Sequence, residues 1–289
     1  AFPKNIRAQQ GLEALGKFNK NNKVNNPPQN IINQLVNLYN QGQLSAVIEQ
    51  TQILTKLYPQ SFIVWNFLGA ANMGLNKVEH ASDAFEKVVE INPNYADGFN
   101  NLGSSLRKQG KLDKALDAFN KALTLKPDYA EALNNIGNTL KYQGNFDKAV
   151  EAYKKSISIK PDYADAYNNM GLTFQDQKNV AEAINAFNTA ILLKPDFAEA
   201  YNNLATILQD IGRLEEAIDA CKKSICIRPN YPEAYNNLGL SLQCQGKFNE
   251  AIDAFNKAIS LNPNYAEIYK NMGDFFQDQG KFDESMENY

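Results

Sequence analysis

The chain has 289 residues, and its 29 lysines and arginines against 32 aspartates and glutamates give a formal net charge of -3. That near balance argues against a protein whose affinity comes from counterion release on nucleic acid. Three cysteines (Cys221, Cys226, Cys244) and the single histidine, His80, are too few for a disulfide scaffold or for a metal site with ordinary ligand spacing.

Residues 1–27 are polar and basic: Lys4, Arg7, Lys17, Lys20 and Lys23 face Glu13 alone. A short amphipathic helix over Ile6–Phe18, presenting Leu12 and Leu15, and a linker broken by Asn19, Asn21, Asn22, Asn25, Asn26 and Pro27 are both compatible with this composition.

From residue 28 onward the chain repeats. Pro59, Pro93, Pro127, Pro161, Pro195, Pro229 and Pro263 fall at intervals of 34 residues, a period that means a solenoid or array. Units begin at 28, 62, 96, 130, 164, 198, 232 and 266; seven are complete, and the eighth stops at Tyr289 after 24 of its 34 positions. In the unit 130–163, Leu133, Ile136, Gly137 and Leu140 form one helical stripe, and Phe146, Ala149, Val150, Tyr153 and Ile157 form a second. Gly144 between them suits a left-handed helix end, and Pro161 stops the second helix. Each unit is predicted to be a helix–turn–helix, and one 28–289 solenoid follows from their succession.

Columns of the repeat carry the packing. Small residues recur on the first helix (Gly69, Gly103, Gly137, Gly171, Ala205, Gly239, Gly273), and large ones recur on the second (Phe85, Phe119, Tyr153, Phe187, Phe255). Small set against large lets helices interlock, with the core shared between neighbouring units. At the junctions, Asp128-Tyr-Ala-Glu131, Asp162-Tyr-Ala-Asp165 and Asp196-Phe-Ala-Glu199 have the spacing of a capping box, with the aromatic between them predicted to fill the seam.

These columns resemble the tetratricopeptide repeat family over residues 28–289. The pattern aromatic-x-x-Leu-Gly, followed by Ala, an aromatic, Ala and Pro, carries the likeness. Unit 28–61 departs from it at Gln34, Val47 and Thr51. Asn76 and Lys178 stand where the turn usually has Gly, and Lys178 is expected to alter its turn slightly. The resemblance implies an all-α fold: a right-handed superhelix, or α-solenoid, of seven full repeats plus a truncated eighth. Its concave face would be lined by the first helix of each unit and would bind protein or peptide clients.

On that face the sixth column of the repeat holds Asn101, Asn135, Asn169, Asn203, Asn237 and Asn271, with Phe67 in the unit before. The fifth column holds Asn100, Asn134, Asn168, Asn202 and Asn236, then Lys270. A carboxamide offers donors and an acceptor, as a peptide bond does. With units about 10 Å apart and an extended peptide rising about 3.3 Å per residue, one Asn would meet roughly every third ligand residue. The sixth column is therefore the candidate peptide-binding ladder; the alternative is that these side chains bond the neighbouring helix or solvate an open face.

A row of this kind resembles the asparagine ladder in the repeat arm of O-linked N-acetylglucosamine transferases. That implies a substrate-selecting arm of a larger glycosyltransferase, although no catalytic site is present in these 289 residues. The alternatives are a stand-alone adaptor, or the arm of another transferase such as a sulfotransferase. A carboxylate clamp of the chaperone-binding kind is disfavoured by the acidic second column, Asp97, Glu131, Asp165, Glu199, Glu233 and Glu267. Arg107 and Lys141 form no basic cluster, because Gln175, Gln209 and Gln243 follow them in their column.

Other residues read as structural. Trp65 and Cys221 occupy packing columns, His80 lies near the start of a second helix, and Asn120, Asn188 and Asn256 are predicted to face solvent. Nothing in the sequence requires a cofactor. The stretch Phe62–Ala71 is too short for a membrane span and residues 1–20 lack a signal core, so a reducing, cytoplasmic setting is expected. Phe275, Phe276 and Phe282 are expected to lack a covering helix, to offer a surface for self-association, and to imply a longer natural chain.

Overall fold

The structure, a computed structural model, describes residues 26–278. The proposed Ile6–Phe18 helix and Phe282 lie outside the described residues. Among the described residues there are fifteen helices and no strand. The chain divides into two compact units, up to Ile159 and from Lys160 onward.

The first unit contains four helical hairpins: α1 (Gln29–Asn40) with α2 (Leu44–Leu57), α3 (Phe62–Gly74) with α4 (Val78–Ile91), α5 (Ala96–Lys108) with α6 (Leu112–Leu125), and α7 (Ala130–Tyr142) with α8 (Phe146–Ile159). The second contains α9 (Ala164–Asp176) with α10 (Val180–Leu193), α11 (Ala198–Asp210) with α12 (Leu214–Ile227), α13 (Pro232–Cys244) with α14 (Phe248–Leu261), and then α15 (Ala266–Asp278). Within each unit every second helix packs on the first helix of the next repeat, and neighbouring first helices also touch. Within each unit the first helices thus lie side by side.

Hairpin closure rests on a ring set against bare backbone. A Cβ on Gly103 would lie 2.7 Å from the Phe119 ring, and one on Gly137 would lie 2.5 Å from Tyr153. Gly69, Gly171 and Gly239 meet Phe85, Phe187 and Phe255 in the same way. All five rings are buried. Where the ring is missing, the partner grows: Cys221 faces Ala205 in one buried cluster. Unit 28–61 puts Leu35 and Thr51 in the two columns, both fully buried. Tyr153 differs from the phenylalanines by a hydroxyl, which donates to Asn138 Oδ1 at 2.8 Å.

Among the described residues, the turn between the two helices of each hairpin is a Schellman closure. Gly110 takes a φ of 74°, its N–H donates to the Arg107 carbonyl at 2.9 Å, and that of Lys111 donates to Leu106 at 3.0 Å. Lys178 does not alter this turn, contrary to the sequence expectation. It adopts a φ of 60° and makes the same pair of bonds, with Lys178 N–H to Gln175 at 2.9 Å and Asn179 N–H to Phe174 at 2.8 Å. Two backbone hydrogen bonds outweigh the strain of a left-handed lysine, about 1–2 kcal/mol.

The capping boxes are not formed. The helix begins immediately after the aromatic, so Tyr95, Tyr129, Tyr163, Phe197 and Tyr231 are the N-caps and make no side-chain cap bond. The Asp or Asn two residues before each helix is one position too early to reach the first turn. The carboxylates Asp97, Glu131, Asp165, Glu199 and Glu233 do sit in the first turn, where they complement the helix dipole. Tyr129 and Phe197 fill their seams as expected and Tyr163 is buried, whereas Tyr231 and Tyr265 are half-buried. Phe275 and Phe276 are buried rather than uncovered, with the Phe275 ring 5.9 Å from Phe248 and 6.3 Å from Phe255.

Cys221→Phe alone should destabilise the protein by about 1–3 kcal/mol through overpacking against Ala205. Adding Ala205→Gly should recover most of that loss; in urea unfolding, purely additive effects would contradict the ring-on-backbone constraint. Lys178→Gly should raise the unfolding midpoint, with a gain of about 1 kcal/mol, because this lysine is exposed and held at a left-handed φ of 60°. A lowered midpoint would contradict it.

Candidate functional site

The fifth and sixth columns of the first helices meet across repeats. Asn101 Nδ2 donates to Asn66 Oδ1 at 3.2 Å, and Asn135 Nδ2 donates to Asn100 Oδ1 at 2.9 Å. In the second unit Asn203 donates to Asn168 at 2.9 Å, Asn237 to Asn202 at 2.9 Å, and Asn271 to Asn236 at 3.0 Å. Each bond spans 35 residues, one repeat plus one position.

This offset distinguishes the two columns. Asn66, Asn134, Asn168, Asn202 and Asn236 in the fifth column are buried. In the sixth column Asn135 is buried, while Asn101, Asn169, Asn203, Asn237 and Asn271 are half-buried. A carboxamide has two N–H donors and one carbonyl acceptor. One donor of Asn101, Asn135, Asn203 and Asn271 goes to the neighbouring repeat, leaving one N–H and the carbonyl for another partner. Asn237 is more committed, since its Nδ2 also lies 3.1 Å from Thr206 Oγ1. The alternative raised from the sequence, that these side chains bond the neighbouring helix, is what Asn101, Asn135, Asn203, Asn237 and Asn271 do; that the fifth column is the acceptor was not foreseen, and its signal was the recurrence of paired asparagines.

Trp65, in the column beside them, is half-buried and donates its indole N–H to the Pro59 carbonyl at 3.0 Å. Phe67, which interrupts the sixth column, is buried. Two of the second-column acids, Asp97 and Glu199, are engaged by residues at the junction of the following repeat. Asp97 accepts the Tyr129 hydroxyl at 2.5 Å, and Glu199 pairs with Arg228 at 2.6 Å. Burial, and then the Asp97 charge, push the Tyr129 phenol far above its ordinary range. Tyr231 is pushed up to about 12 by burial and by Glu199 and Glu233.

Cys221 is buried and its thiol is pushed up to about 12 by burial, whereas Cys226 and Cys244 are exposed. His80, Asn120, Asn188 and Asn256 are exposed. Among the described residues no group of three His, Cys, Asp or Glu side chains could hold a metal ion, and no helix is long and apolar enough to cross a membrane.

Family models described as Tetratricopeptide repeat match residues 63–95, 94–162, 164–197, 198–231, 232–265 and 254–287. The chain belongs to the tetratricopeptide repeat family. Among solved structures it is similar to the APC/C hetero-tetramer Cut9–Hcn1, with 20% identity and a TM-score of 0.70 over 84% of this chain. This chain spans 47% of the length of that one. Pseudomonas aeruginosa pilF matches at 19% identity and a TM-score of 0.63, covering 75% of this chain and 97% of its own. Likenesses at this identity show the fold. MamA matches at 31% identity and a TM-score of 0.51, over 57% of this chain and 97% of its own. No curated protein matches the sequence.

Asn100→Ala should cost about 1–3 kcal/mol by leaving the Asn135 donor unpaired, whereas Asn100→Asp, which keeps the acceptor, should cost less. A double-mutant cycle on Asn100 and Asn135 should give a coupling of about 0.5–3 kcal/mol; zero coupling would contradict the bond as a stabilising link.

Proposed function

We propose that the first-helix face is a concave peptide-binding surface on which Asn101, Asn135, Asn169, Asn203, Asn237 and Asn271 hold the backbone of an extended protein segment. Tetratricopeptide repeat proteins bind peptide or protein partners, and the fold fits a protein–protein interaction scaffold. The observation supporting the finer reading is the half-spent carboxamide. The inter-repeat bond orients the amides of Asn101, Asn135, Asn203, Asn237 and Asn271, and at Asn101, Asn135, Asn203 and Asn271 the remaining N–H and carbonyl match the carbonyl and N–H of a peptide bond. Pre-orientation lowers the ordering cost of binding. Such a surface would grip main chain and tolerate varied side chains.

Within this function, the asparagine row supports a narrower role as the substrate-selecting arm of a glycosyltransferase resembling the O-linked N-acetylglucosamine transferases. That role predicts O-linked sugar on proteins captured by the array; a stand-alone adaptor predicts unmodified, stoichiometric complexes.

The triple replacement of Asn135, Asn169 and Asn203 by Ala tests the surface itself. Affinity for a neutral extended peptide, measured by fluorescence anisotropy, should fall at least tenfold with helix content retained. Unchanged affinity would contradict the proposal.

A further inference from the structure

A surface that grips only main chain cannot choose between clients, so selectivity must come from side chains placed beside the amide row. Arg107 on α5 stands out. It lies seven residues, two helical turns, beyond Asn100, and Tyr142 on α7 lies seven beyond Asn135. The pair therefore repeats the 35-residue relation of the Asn100–Asn135 bond, two turns farther along the same two helices. The guanidinium carbon is 5.9 Å from the centre of the Tyr142 ring, and that tyrosine is 71% exposed.

Arg107 is half-buried, and its Nε is fully buried with no hydrogen-bond partner. No carboxylate pairs with it among the described residues. Arg213 and Arg228, by contrast, each lie 2.6 Å from a glutamate. Burial, partly opposed by Tyr142 and Tyr153, lowers the Arg107 pKa from its ordinary value, the signature of a partly desolvated cation. Lys108, exposed at the same helix end, already serves the helix dipole in water, so that role gives no reason to bury Arg107. The buried Nε is closed to a ligand, so an incoming oxyanion would meet the guanidinium through its terminal Nη groups.

We propose that Arg107, backed by the Tyr142 ring, is a subsite for the carboxylate of an acidic side chain in the bound segment. This rests on the groove reading above and adds selectivity and register to it. The guanidinium occurs at one place in the array, because its column has Met73 before it, Lys141 after it, and Gln175, Gln209 and Gln243 in the second unit.

The test uses labelled, C-terminally amidated extended peptides of Ser, Thr and Val with one Glu walked through every position, each matched by a Gln peptide. Wild type should bind Glu about tenfold tighter than Gln in one register, with the preference shrinking as salt rises. Arg107→Gln should erase that preference and leave the Gln-peptide affinity at the wild-type value; Arg107→Glu should transfer the preference to a Lys peptide in the same register. An equal Glu preference in wild type and Arg107→Gln would overturn the subsite. So would a preference of wild type for a free C-terminus over internal Glu, in peptides lacking the amide. Binding of every peptide regardless of Glu would overturn the subsite alone, whereas binding of none would overturn the groove reading together with it.

Discussion

A unit of 34 residues is too small to enclose a core, and what lets such units stack is the seating of an aromatic ring on helix backbone that lacks a side chain. At Gly69, Gly103, Gly137, Gly171 and Gly239 a single added carbon would stand within 2.7 Å of the ring. Contact this close fixes the separation and rotation of the two helices in a hairpin, and so fixes which face of the first helix remains for other uses. The exchange of sizes at Ala205 and Cys221, and at Leu35 and Thr51, follows from the same constraint. Where the second column lacks the ring, the first column carries a side chain in place of glycine.

The amide rungs depend on that geometry. Buried polar side chains are tolerable only when bonded, and a fifth-column carbonyl can be bonded only if the next first helix arrives at the right height. The 35-residue offset is the consequence: side chains one position apart in the chain become partners one repeat apart. Each rung helps to join adjacent repeats and orients a carboxamide whose remaining groups match a peptide bond. Under the proposed function, stability and recognition would draw on the same side chains; Asn237 is the more committed, because Thr206 also engages its amide.

The repeat, its helices and the small-against-large columns were legible because each is a periodicity along the chain. The features that escaped depend on the third dimension or on a shift of one residue. Asp128, Asp162 and Asp196 have capping-box spacing, but helix starts at Ala130, Ala164 and Ala198 put the aromatic at the cap instead. Lys178 looked like a perturbed turn because propensity was weighed without the two backbone bonds the turn must make. The sixth column was legible as a row of amides, but its division of labour with the fifth was not, since sequence adjacency conceals the offset. In the sequence Arg107 and Lys141 make no basic cluster; the buried Nε of Arg107, without an acceptor, sets it apart.

The account centres on sixth-column carboxamides meeting the main chain of a bound segment. A crystal structure of the chain with a neutral extended peptide tests this most directly. It should place peptide N–H and C=O groups about 2.9 Å from the side-chain amides of residues such as Asn135 and Asn203, with the bonds to Asn100 and Asn168 retained. A peptide bound on the second helices, or one touching the first-helix face only through its side chains, would contradict it.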